Sequence, residues 1–120
     1  MAHEIDMGLD GILRTRLIGE LDRIAMDALL KDLQPYFEAA TENAQLNLIM
    51  DSSQVGKLSS YARKRFTLMN QDTRIGKIAI LGASRSMRVF IGFVSKATLR
   101  DNIQMFDRDD QAINWIKDKR

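Results

Sequence analysis

The sequence predicts an α/β fold: a single-layer mixed, mainly parallel β-sheet of about five strands, with four helices covering it. Three observations lead there. Short apolar runs alternate with helical patterns along the chain, the signature of strands joined by crossover helices. An Asp-Gly dipeptide near the start separates two extended segments, as in an antiparallel hairpin. With 120 residues, 45% hydrophobic and 28% charged, the chain has the size and composition of one globular domain, taken as residues 1–120.

Each element has a local reason. "HEIDMGL" and "ILRTRLIG" flank Asp10-Gly11, a pair that favours a type I′ turn. "DRIAMDALLKDLQPYFEAAT" spaces Ile24, Ala28, Leu29, Leu33, Phe37 and Ala40 as a helix, with Asp22 as N-cap and Pro35 expected to kink or split it. "LNLIMD" reads as a short strand and "DSSQVGKLSS" as the loop after it. "SSYARKRFTLMNQD" forms a helix burying Tyr61, Ala62, Phe66 and Met69. "KIAILG" is the most apolar strand, hence placed at the sheet centre, and "GASRSM" is the loop beyond it. "SMRVFIGFVSKAT" turns Met87, Phe90, Ile91, Val94 and Ala97 inward as a helix, against a β-branched content that would also suit a strand. "NIQMF" is the last strand, and "DDQAINWIKDK" a closing helix docked by Ile113, Trp115 and Ile116. Right-handed crossovers would bring the "DSSQVGKLSS" and "GASRSM" loops to one edge, where ligands collect in open α/β sheets.

Composition narrows the function. There is no cysteine, so no disulfide framework, thiol nucleophile or thiolate metal site. The start "MAHEIDMGLDG" has no apolar signal core and no apolar run approaches the ~20 residues of a membrane span, so a cytoplasmic protein without one is expected. Charge is uneven: residues 1–56 carry four Lys or Arg against ten acids, whereas residues 57–100 carry ten against one, Asp72. Such polarity bears on partners rather than on fold.

The order of elements resembles the SpoIIAA-like branch of the STAS domain superfamily, whose fold is related to the CRAL-TRIO lipid-binding domains. "LIGELDRIAMDALLKDLQPYFE" is similar to the family's opening strand and helix, including a late proline. "LNLIMDSSQVGKLS" and "IGKIAILG" resemble its next two strands, and "IQMFDRDDQAINWIKD" its ending; together these cover about residues 11–118. The resemblance implies a non-enzymatic regulatory or protein-interaction domain with an unidentified protein partner. In family members that antagonise anti-sigma factors, a pattern like D-L-S-x-V-x-x-I-D-S-S-G-L carries a serine phosphorylated by a partner kinase. Laid on this chain, Asp51, Ser53 and Val55 match and Leu58 takes the apolar place. The switch acid becomes Ser59, the phospho-acceptor Ser60, the next serine Tyr61 and the glycine Ala62. A degenerate switch loop follows, with Asp51, Ser52, Ser53, Lys57, Ser59 and Ser60 as its interaction residues.

The residues themselves give little to catalysis. No G-x-S-x-G elbow is present, and the single histidine, His3, falls at the start of an edge strand, expected to be far from the carboxyl edge. Serines there are expected to cap helices. "GASRSMR" offers a strand-ending glycine, capping serines and two arginines, so Ser84, Arg85, Ser86 and Arg88 are the candidate anion-binding edge, with a second helix start near Lys57 beside them. No phosphate-loop or dinucleotide spacing exists, and no cofactor is expected. "DRDD" lacks His or Cys company, so no metal is expected, and the resemblance makes Asp109 or Asp110 a helix cap. "ARKRF" lacks interleaved aromatics, so nucleic acid is not expected. The soft set Met69, Met87, Phe90, Phe93, Val94 and Met105 reads as core; were part of it to line a cavity, a small apolar ligand would fit. Ligand binding, apolar or anionic, is thus the alternative function. Acidic residues of the first helix (Asp22, Asp27, Asp32, Glu38) facing Arg63–Arg65 of a second copy would make a homodimer.

Overall fold

The structure, a computed structural model describing residues 2–118, has the predicted order ββαβαβαβα. The elements are β1 (Ala2–Met7), β2 (Leu13–Leu21), α1 (Arg23–Ala39), β3 (Leu46–Leu58), α2 (Ser60–Gln71), β4 (Ile75–Leu81), α3 (Arg85–Thr98), β5 (Ile103–Phe106) and α4 (Asp109–Lys117). Strand order in the sheet is β1-β2-β3-β4-β5; β1 runs antiparallel to β2 and every other pair is parallel.

That order decides where the helices go. Parallel crossovers are right-handed almost without exception, and here each new strand is added on the same side of the last. All three crossover helices must then lie on one face. Accordingly Met26 and Leu29 of α1, Phe66 of α2 and Ile91 of α3 share a core with Leu13, Leu48, Ile78 and Ile103. No crossover constrains α4, which covers the other face through Ala112 and Ile116 against Ile12, Ile49 and Ala79. Its carboxyl end is held by Lys77, whose ammonium donates to the carbonyls of Trp115 (2.8 Å) and Asp118 (2.7 Å). A cation at a helix carboxyl terminus is favoured by both the free carbonyls and the dipole.

Several expectations are corrected. The hairpin loop is not a type I′ turn, which needs positive φ at both central residues: only Gly11 has it, at +79°. Instead Gly11 N–H bonds the Gly8 carbonyl and Gly8 N–H the Ile12 carbonyl, a three-residue loop ending in a left-handed glycine. Asp22 does cap α1, accepting from Ala25 N–H at 2.9 Å. The buried face of α1, however, is Ala25, Met26, Leu29 and Leu33, while Ile24 is 82% exposed and Ala28 also faces solvent. Leu29 and Leu33 are common to both faces, and Met26 completes the turn better than Ile24. Pro35 does not split the helix: it and Lys31, whose carbonyl loses its partner, are both exposed, which keeps the missing bond out of the core. In α2 Tyr61 is only half-buried, and in α3 Phe93 and Ala97 are exposed. In α4 Ala112 and Ile116 are the buried pair, with Ile113 and Trp115 half-buried. β3, not β4, is the middle strand. Neither Asp109 nor Asp110 caps α4; Arg108 occupies that position without a side-chain capping bond, and both acids fall in the first turn, where the dipole favours them.

Asp10 clamps the hairpin, accepting from Ile12 N–H (3.1 Å) and from two Arg14 guanidinium nitrogens (3.2 and 3.0 Å). The Arg14 bonds, then the Ile12 amide, depress its pKa to about 2 from 3.8. A depressed carboxylate contributes stability that is present above its unfolded pKa and lost as pH falls through the folded one. Between about pH 4 and pH 2, Asp10→Asn is therefore expected to lose less stability than the unsubstituted chain, as read by urea unfolding at stepped pH. Equal slopes would overturn the assignment.

Candidate functional site

The segment expected to be a loop is the carboxyl half of a 13-residue strand. β3 pairs with β4 only as far as Asp51↔Leu81, but with β2 through Gln54, Val55 and Leu58. Serines and Gly56 read as loop chemistry, yet β2 runs alongside from Leu13↔Leu48 to Leu21↔Leu58 and satisfies the backbone along one edge. At two register shifts, Arg16/Ile18 and Gly19/Leu21, β3 takes one residue more than β2, the second beside the left-handed Gly19 (φ +78°). Beyond Asp51 the other edge of β3 is open to the segment that leads into α3.

The junction is closely specified. Asp51 Oδ1 accepts from Ser53 N–H (3.0 Å) and Oγ–H (2.6 Å), and Arg16 Nε lies 3.5 Å from Oδ2. Partial burial disfavours this carboxylate, but the Ser53 hydroxyl and amide and Arg16 outweigh it and hold the pKa below the usual value. Buried Ser52 donates to the Leu81 carbonyl at 2.9 Å, tying β3 to the end of β4. Gly82, at φ +67°, follows directly; a Cβ there would meet the Ser53 Cβ at 2.7 Å. Ser59 caps α2 by accepting from Ala62 N–H at 3.0 Å, and its own N–H reaches the Leu21 carbonyl. Ser60 is the first residue of α2, exposed, its hydroxyl accepting from Arg63 Nη2 at 3.3 Å. Ser84 caps α3 by accepting from Met87 N–H at 3.2 Å.

The two helix starts and the β3 extension enclose an open cleft of about 360 Å³. Val55 to Leu58 form one wall, Ser84, Ser86, Met87 and Phe90 another, and Arg63 reaches in from α2. Of the expected residues, Lys57, Ser84 and Ser86 come together here. Arg85 and Arg88 are exposed but outside the lining, and Asp51, Ser52 and Ser53 serve the strand junction behind it. Arg63 was missed as a site residue. Capping by Ser59 would have revealed it, because Arg63 then stands one turn from Ser60, on the same helix face.

Other candidates differ. Antiparallel pairing sets His3 opposite Leu17, near the carboxyl end of β2 rather than far from it, and its Nε2 is 2.6 Å from Asp32 Oδ2. Its ring has no serine partner among the described residues. Among those residues no group of three or more acids or histidines is arranged to hold a metal, and no helix is long and apolar enough to cross a membrane. The apolar interior around Met26, Met50, Met69, Met87 and Phe90 leaves about 20 Å³, near the space of one water. A shallow recess of about 270 Å³ on the α4 face holds Glu4, Asp6, Arg14, Arg16, Asp51 and Asp109, where Arg16 already pairs with Glu4 and Asp51.

Residues 12–117 match the SpoIIAA-like family. The chain belongs to it. The SpoIIAA-like fold is seen in solved structures across nearly the whole length. The anti-sigma factor antagonist SpoIIAA in its unphosphorylated form is 18% identical with TM-score 0.71, covering 97% of this chain and 98% of that one. An uncharacterised protein from Shewanella loihica with a SpoIIAA-like fold is 16% identical with TM-score 0.72, covering 95% and 91%. An anti-sigma factor antagonist from Mycobacterium paratuberculosis is 17% identical with TM-score 0.70, covering 98% and 94%. At such identities the likeness carries the fold alone. No curated protein matches by sequence.

Proposed function

We propose that this SpoIIAA-like domain is a cytoplasmic, non-enzymatic regulatory module that binds a protein partner at its carboxyl edge, with a degenerate phospho-switch. The carrying observation is the state of Ser59 and Ser60. Ser59 stands where related antagonists place the switch acid, and its hydroxyl is committed to the Ala62 amide as a helix cap. It cannot supply the missing charge. Among the described residues Ser60 has only Arg63 beside it, a donor that activates no nucleophile, which supports a non-enzymatic role. Intact-mass measurement of protein isolated from its host across growth phases tests the switch. Ser60 is expected to carry no substantial phosphate; a growth-dependent phosphorylated fraction at that residue would overturn its degeneracy.

The cleft supports a second reading, binding of a small anion by Lys57, Arg63 and the Ser84 helix start. Exposed Arg88 lies outside it, so Arg63→Ala rather than Arg88→Ala is expected to weaken inorganic phosphate binding, by about 1–3 kcal/mol. Calorimetric titration showing identical curves for Arg63→Ala and the unsubstituted chain would remove this reading. An apolar ligand has less support, since the helices would have to part around a 20 Å³ interior.

A further inference from the structure

We infer that the outer face of α2 and α3 docks a protein whose contact surface is acidic around an apolar recess. The inference rests on the regulatory reading above and names the chemistry of its partner. α3 buries Met87, Ile91 and Val94, so its opposite face carries Val89 and Phe93, one turn apart. These are 58% and 67% exposed, and Leu68 on neighbouring α2 is 48% exposed. Lys64 on α2, Arg85, Arg88 and Lys96 on α3, and Lys57 at the cleft are exposed, and none has an ion-pair partner among the described residues. The single acid in this stretch, Asp72, is taken by Arg74 at 2.7 Å. Meanwhile the acids of α1 are occupied within the chain: Asp22 caps its helix, Asp27 accepts from Tyr61 and Asp32 meets His3. An aromatic anchor inside a charged rim is the anatomy of a protein interface, and a rim of one sign selects a partner of the other.

Two other occupants fit less well. In a two-fold pair joining α3 to the acidic α1 of a second copy, α2 lies between them in each subunit. Its Lys64 and Arg65 would face their own copies across the axis. A one-sided α1–α3 contact is heterologous and builds a ring or a filament, not a closed two-fold pair. A bilayer requires a helix to sink its apolar stripe into the interface, whereas the main stripe of α3 is committed to the core.

The test places p-benzoylphenylalanine at position 93, and separately at position 24 on exposed α1, in the full chain expressed in its host. After irradiation the adducts are mapped by mass spectrometry. The partner so identified is then purified and titrated with the unsubstituted chain, Phe93→Ala and Arg88→Glu/Lys96→Glu at ~0.05 and ~0.5 M salt. Expected are an adduct at 93 and none at 24, mapping to an acidic segment. Phe93→Ala should bind at least tenfold more weakly, and the charge reversal should abolish the low-salt advantage. Partner adducts at 24 alone, or affinity indifferent to all three substitutions, would overturn this inference while leaving the regulatory reading intact. Adducts only to a second copy would overturn it in favour of self-association. Sedimentation with 70:30 phosphatidylcholine:phosphatidylglycerol vesicles, lost in Phe93→Ala, together with no protein adduct at either position, would overturn both readings.

Discussion

Asn70→Ala is expected to lower the stability of the domain by about 2–4 kcal/mol, the cost of orphaning buried amide groups. Asn70 is a fully buried polar side chain, at 0% exposure, near the end of α2. Its amide nitrogen donates to Thr98 Oγ1 and to Asn102 Oδ1, both at 3.2 Å, and its Oδ1 accepts from Asn102 Nδ2 at 2.8 Å. Asn102 in turn donates to the Gly76 carbonyl at 2.7 Å. These bonds join α2, α3, the start of β4 and the lead into β5, around a point where Arg100 also gathers the carbonyls of Asn70, Asp72 and Ile75. Alanine removes three hydrogen bonds and leaves a carboxamide-sized gap in the buried interior. Chemical denaturation measures the loss. Asn70→Ala/Asn102→Ala is expected to be little worse than either single change, since each side chain chiefly satisfies the other. A single-variant loss below about 0.5 kcal/mol would show the network to be dispensable.

Gly82→Ala is expected to cost about 2–4 kcal/mol and to disturb the cleft as well. Two penalties act together. A left-handed φ of +67° strains any residue with a Cβ, and the new methyl would stand 2.7 Å from Ser53 Cβ and 3.0 Å from Ser53 Cα. Neither neighbour is a flexible side-chain end, so β3 or the 82–84 segment must move. Because Ser84 caps α3 only two residues later, that movement displaces a cleft wall. Gly82→Ala should therefore lower the denaturation midpoint and also weaken phosphate or partner binding in protein that remains folded. Gly11→Ala has the same φ problem but open space around it, and serves as the control for backbone strain alone. Equal losses at the two glycines would mean the Ser53 contact contributes nothing.

Much of the site was legible in the chain because its signals are local. Ser59 and Ser84 each precede a helical pattern and each became an N-cap, as helix ends with free N–H groups require. Arg85 and Arg88 were legible as helix-start cations, but that both would lie outside the cleft was not. That depends on the position of a helix start against a strand three elements earlier, a matter of register rather than of spacing. Lys57 reached the cleft for the same reason that its segment was misjudged. A strand whose hydrogen bonds are supplied from one side by a distant partner need not show alternating hydrophobicity, and "DSSQVGKL" does not show it.

By itself the sequence determined the order ββαβαβαβα, the family and the crossover helices, because apolar periodicity and chain order limit which elements can form and where they can lie. Tertiary structure alone decided that β3 runs on to Leu58, that Arg63 rather than Arg88 joins Lys57 at the cleft, and that Phe93 faces outward. Periodicity turned Met87, Ile91 and Val94 of α3 inward, but reading Phe93 as core rested on its apolar character, which carries no facing. Only the position of α3 beside α2 and over the sheet left Phe93 exposed.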